Sequence, residues 1–230
     1  MPPDDHDRFP PDEPPVVRRN PFATRYVASA RVVARDDSGR PRDLAGLADR
    51  LARNGGRGAI VGPHGAGKST LLRQLARFLE ARATPVRVLR ARGPTDLPEV
   101  VAGVRSIPRA GVACIDGWET LGRPGRLAVR AAAWGAGVGV VVTAHRPGWP
   151  ATLVECRTSL ALLRAIVASL PGRDEWFGPV VDDGDLARCF AAGAGDVRRA
   201  LDLLYDRFER CGRCPTGASP VPDATAPGPA

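Results

Sequence analysis

The residues from Gly62 to Thr70, Gly-Pro-His-Gly-Ala-Gly-Lys-Ser-Thr, have the types and spacing to hold a phosphate chain. Gly62 and Gly67 stand where the pattern G-x-x-x-x-G-K-[ST] needs residues without a Cβ, so that backbone N–H groups can turn inward around phosphate oxygens. The candidate binding set is Gly62, Pro63, His64, Gly65, Ala66, Gly67, Lys68, Ser69 and Thr70. Lys68 is placed to reach the β- and γ-phosphates of a bound nucleotide, and the Ser69 hydroxyl to ligate Mg²⁺. Lys68 is also the only lysine of the chain, every other basic side chain among the 33 being arginine. A compact ammonium fits between phosphates where a planar guanidinium does not.

A second group of candidates follows the loop. Val112-Ala-Cys-Ile115 is an apolar run ending in Asp116, 48 residues after Lys68, and this carboxylate is the second candidate metal ligand. Gly117 and Trp118 separate it from Glu119, which is either the base that orients a water or a solvated loop carboxylate. Thr143 and His145 end another apolar run, Val138 to Val142. Cys211 and Cys214 form a lone C-x-x-C with no second pair, too few ligands for a tetrahedral zinc site, and Cys114 reads as a small core residue.

These residues need elements to position them. Ala59-Ile60-Val61 reads as a strand entering the loop, and Leu71, Leu72, Leu75 and Leu79 as the buried face of a helix leaving it, to about Arg82. That helix start places amides and a dipole that favour an anion. A helix from Asp43 to Ala52, stopped by Asn54-Gly55-Gly56, precedes the strand. Further strands are expected at Val86–Leu89, Val112–Asp116, Val138–Thr143 and Leu153–Cys156. Helices are expected near Leu97–Val104 and Pro124–Trp134, and three more after Thr158. The fold class is therefore α/β: a parallel five-stranded sheet with helices on both faces, followed by a small helical lid. The boundaries expected are a disordered segment 1–19, a core 20–157 whose first residues dock on it, a lid 158–211 and a disordered tail 212–230. Phe22, Arg25 and Tyr26 either dock beside a nucleotide base or belong to an anchored strand covering apolar surface.

Composition bounds the function. At 230 residues and 43% hydrophobic content the chain suits one α/β domain with an appendage. No apolar run reaches the roughly 20 residues of a membrane span, and the acidic, proline-rich start lacks the apolar stretch of a secretory signal, so a cytoplasmic protein is expected. The odd count of five cysteines agrees with that. A net charge of +8 invites a nucleic-acid partner, but the arginines are spread along the chain without a long basic run, so the support is weak.

Gly62–Ser69 followed by the Asp116 strand resembles the Walker A and Walker B motifs of P-loop NTPases of the additional-strand group. The helical segment with Gly195-Asp196-Val-Arg198-Arg199-Ala-Leu201 resembles the lid helix of AAA-plus ATPases. The resemblance covers residues 42–210. It implies ATP and Mg²⁺ as ligands, Ser69 and Asp116 as metal-holding residues, and Lys68, Glu119, Thr143 and Arg198 as catalytic residues. By this likeness Thr143 is a sensor of the γ-phosphate, with His145 a weaker choice, and Arg198 a sensor from the lid, with Arg199 the alternative. A solvated helix face is the other reading of the two arginines. The pattern places Glu directly after the strand aspartate, whereas Glu119 lies two positions further on. The chain is also similar to short planctomycete P-loop proteins that share its Asn-Pro-Phe, Gly-Pro-His-Gly and Thr-Ala-His-Arg segments, a likeness that carries no activity. The function implied is a regulatory or assembly ATPase, a homo-oligomer in many such families, with Arg123, Arg126 and Arg130 as arginine-finger candidates. The alternatives are a small-molecule or nucleotide kinase using Arg92 and Asp96, and a non-hydrolysing nucleotide-dependent switch.

Overall fold

The computed structural model describes residues 20–27 and 32–212. The expected disorder of 1–19, the tail beyond Gly212 and Cys214 lie outside the described residues. In chain order the elements are α1 (Thr24–Val27), α2 (Leu44–Arg53), β1 (Arg57–Val61), α3 (Lys68–Glu80), β2 (Val86–Arg90), α4 (Leu97–Arg105) and β3 (Val112–Asp116). Then follow α5 (Gly122–Ala136), β4 (Gly139–Ala144), β5 (Thr152–Glu155), α6 (Leu160–Ala168), α7 (Arg173–Trp176), α8 (Asp183–Ala192) and α9 (Val197–Gly212).

The five strands form one parallel sheet in the order β2-β3-β4-β1-β5. β1 and β4 lie inside it and are buried on both faces, which is why their sequences are near-continuous apolar runs rather than alternating ones. Alternate residues of each strand feed two cores. Ala59, Ala113, Ile115, Val140 and Val142 face α4 and α5, while Ile60, Cys114 and Val141 face α2 and α3. Register sets the site: Val61 pairs with Ala144 and Ile115 with Val142, so the loop after β1, Asp116 and Thr143 arrive at one edge of the sheet. Ligands of open parallel sheets bind at these carboxyl ends.

A third core joins α6, α8 and α9, whose helix starts are firmly capped. Asp182 and Asp185 form a reciprocal capping box on α8, and Ser159 caps α6. Asp185 is buried. Burial raises its carboxyl, but the Asp182 amide and the Arg188 and Arg207 guanidiniums outweigh this and hold the pKa below its ordinary value.

Residues 20–27 differ from expectation. They form neither a strand nor a dock on the sheet: Phe22 inserts into the third core between Trp176 and Phe208, with ring centroids 5.2 and 6.2 Å away. Asn20 Nδ2 donates to Tyr205 O at 3.1 Å and to Glu209 Oε1 at 2.8 Å, fixing the segment on α9. An aromatic ring buried among aromatic rings outweighs a strand edge with no partner. Phe22→Ala is expected to cost about 3 kcal/mol of stability, measured as a shift in the urea unfolding midpoint.

Candidate functional site at the carboxyl edge of the sheet

Gly62 leaves β1 under the end of β5. A Cβ at Gly62 would lie 2.2 Å from Cys156 O, so only glycine lets the chain pass. The loop then turns through Gly65 and Gly67, both at positive φ, and opens α3 at Lys68. Lys68 Nζ folds back over the loop, donating to Gly62 O at 2.8 Å and Pro63 O at 2.7 Å, with His145 Nδ1 at 3.4 Å as a third neighbour. Burial lowers its pKa, while Glu119, Cys156, Asp116 and Asp196 oppose the shift by charge.

Three of the residues singled out in the sequence meet at one oxygen. Asp116 Oδ1 accepts from Ser69 Oγ at 2.9 Å and from Thr143 Oγ1 at 2.8 Å. The Gly117 amide donates to Thr143 Oγ1 at 2.9 Å, closing the network. Thr143 is 3% exposed, so its hydroxyl is turned to the carboxylate beside it and positions Asp116. The Asp116 carboxylate and the Ser69 hydroxyl are oxygen donors of the kind Mg²⁺ takes, a hard cation that keeps several waters and takes its remaining oxygens from substrate phosphates. The described residues contain no cluster of three His, Cys, Asp or Glu side chains placed to hold a metal by themselves.

Glu119 reaches the site by a bend. Gly117 has φ of 92°, and a Cβ there would lie 2.1 Å from Ala91 O, so the chain turns sharply after β3 into a 3-10 turn, Trp118–Leu121. Glu119 Oε1 thereby accepts from the His145 amide in a short contact at the end of β4. Glu119, three residues after Asp116, is brought back to the sheet edge by this turn and is the largest charge influence on Lys68.

His64 and His145 stack with centroids 4.0 Å apart. His145 has its pKa lowered first by burial and then by Lys68 and His64, with Glu119 and a backbone hydrogen bond donated to Gly62 opposing.

Asp196 is the residue that sequence reasoning missed. Its Oδ1 caps α9, accepting from the Arg198 amide at 2.8 Å and the Arg199 amide at 3.1 Å. The same carboxylate packs on the loop, since a Cβ at Gly65 would lie 1.8 Å from Asp196 Oδ1. The Gly-Asp pair ahead of a helix signals a cap, but nothing local signals contact with a loop so distant in sequence. The Arg198 and Arg199 side chains are exposed at the helix start beside the loop. Of the alternative candidates, Asp96 Oδ2 accepts from the Arg92 amide at 2.7 Å, Arg126 Nη2 donates to Glu119 O at 3.1 Å, and the Arg130 guanidinium lies 4.4 Å over the Trp149 ring. Cys114 is buried, its thiol pushed up to about 12 by desolvation, as suits a core residue. Cys211 is exposed on α9.

No protein-family model matches the chain, and no curated protein matches it. Among the described residues, no helix is long and apolar enough to cross a membrane.

Gly65→Ala would force a positive-φ backbone and displace the Asp196 carboxylate, so a loss of about 1–3 kcal/mol is expected, read by thermal unfolding. A native His145 pKa below the ordinary 6.5 means that the unfolded chain takes up the proton first. The histidine's contribution is therefore complete above pH 6.5 and declines as pH falls toward and below the native value. His145→Asn should flatten this part of the stability profile, measured by urea titrations from pH 7.5 to 5.

Proposed function

We propose that the chain binds ATP with Mg²⁺ at the Gly62–Thr70 loop and hydrolyses it, as an AAA-plus-like regulatory or assembly ATPase of the P-loop class. The observation that carries this reading is the convergence of Ser69, Thr143 and Asp116 on one oxygen, beside a glycine loop that presents the only lysine.

The chain's own groups supply the parts the reaction needs. Loop amides and the start of α3 favour an anion, and Lys68 leaves the Gly62 and Pro63 carbonyls to neutralise phosphate charge. Ser69 and Asp116 would hold Mg²⁺, which supplies charge neutralisation at the β- and γ-phosphates. Thr143 keeps the carboxylate aimed. Glu119, fixed through Oε1 by the His145 amide, presents Oε2 as the acceptor for a proton of the attacking water. Arg198 enters from α9 toward the phosphates once the lid shifts.

The Glu119–His145 contact also favours a second reading, a nucleotide-dependent switch that hydrolyses slowly because its base is held in another bond. Single-turnover phosphate release distinguishes the two. Lys68→Ala should weaken ATP binding about 100-fold, the equivalent of one strong charged hydrogen bond of about 3 kcal/mol. Glu119→Gln should slow release about 100-fold in the ATPase; release equal to wild type identifies the switch. Chelation of Mg²⁺ should abolish release in either case, and turnover that requires an added acceptor would instead identify a kinase.

A further inference from the structure

The connection from β4 to β5 leaves a space that the sheet does not need. These parallel strands flank β1, and such a crossover ordinarily takes a dozen or more residues and a helix. Here only residues 145–151 make it, as an extended strap over β1, tied down where the Ala59 amide donates to Ala151 O at 2.9 Å. Without a helix on that part of the face, a cavity of about 280 Å³ lies between the strap and α5. Ala59 and Ala144 make its floor, small residues that leave depth, and Trp118 and Trp149 make an aromatic wall with centroids 5.7 Å apart.

Its polar groups point to one charge class. Arg126 and Arg146 line it, and Arg130 stacks on the Trp149 ring at 4.4 Å, adding positive potential at the rim. Arg126 Nη2 donates to Glu119 O at 3.1 Å, but Arg126 Nε is buried and has no hydrogen-bond partner among the described residues. Glu119 is the one acid of the lining, and its carboxylate is already engaged by the His145 amide. The volume falls just below the ~300 Å³ lower end of ligand pockets, which excludes a whole nucleotide and suits a single ring bearing one acid group.

We propose that this cavity is a second binding site, for a small aromatic acid whose ring lies on Trp118 and Trp149 and whose carboxylate or phosphate accepts from Arg126. The site is separate from the phosphate loop but shares Glu119 and His145 with it. An occupant therefore sits where it can shift the Glu119 carboxylate; this last clause alone rests on the ATPase reading.

The test uses the full chain with 4-fluorobenzoate as probe, followed by fluorine NMR, with phenyl phosphate as competitor and neutral 4-fluorobenzyl alcohol as comparison. Saturable binding of 4-fluorobenzoate, displaced by phenyl phosphate and at least tenfold tighter than the alcohol, is expected. Arg126→Met and Trp149→Leu, checked for folding by circular dichroism, should each weaken it tenfold or more. Lys68→Ala should still bind the probe saturably while weakening ATP binding about 100-fold. Absence of saturable binding to wild type, equal binding of the alcohol, or full binding by a folded Arg126→Met would overturn the assignment. ATP binding measured on the same samples keeps the two claims apart: probe bound without ATP retains the cavity and removes the nucleotide reading, and ATP bound without probe does the reverse.

Discussion

The two hydroxyl hydrogen bonds on Asp116 Oδ1 are the constraint on which the site depends. They tie the first turn of α3, the end of β3 and the end of β4 into one network, each element supplying one side chain. A buried network of this kind is stable only when every member is satisfied. Register meets that condition, because a shift of one residue in β4 would turn Thr143 to the opposite face and leave the carboxylate one donor short. The close passage of Gly117 beneath Ala91 then sends Glu119 back over the same edge.

Glu119, Asp116 and Asp196 all act on Lys68 by charge. Two backbone carbonyls accept from the ammonium and His145 Nδ1 lies 3.4 Å from it, so the lysine is folded back over its own loop. Asp196 adds a mechanical link. As the cap of α9 it belongs to the third core, and as a neighbour of Gly65 it belongs to the loop. One carboxylate thus joins the helical segment to the Gly62–Thr70 loop.

The strap after β4 shows how a missing helix becomes a feature. With α4 and α5 covering β2, β3 and part of β4, the remaining face over β1 is closed by Trp149 and Trp118 rather than by a helix. Bulky rings over alanines cover the face without filling it, and arginines from α5 converge on the gap.

Much of this was legible in the chain itself. The apolar runs of β1, β3 and β4 need two buried faces and so imply a parallel sheet, and the leucine spacing of α3 and the aspartates ahead of α8 mark helices through local periodicity and capping. The glycine loop opening α3 and the aspartate ending β3 were readable because each depends on spacing within one short segment. Tertiary structure alone decided the rest. The placement of Phe22 in the third core, the turn that brings Glu119 to His145, the stacking of His64 on His145 and the contact of Asp196 with Gly65 all join residues far apart in sequence. Such contacts are set by strand order and register, through long-range packing that leaves no periodic trace in the segments it joins.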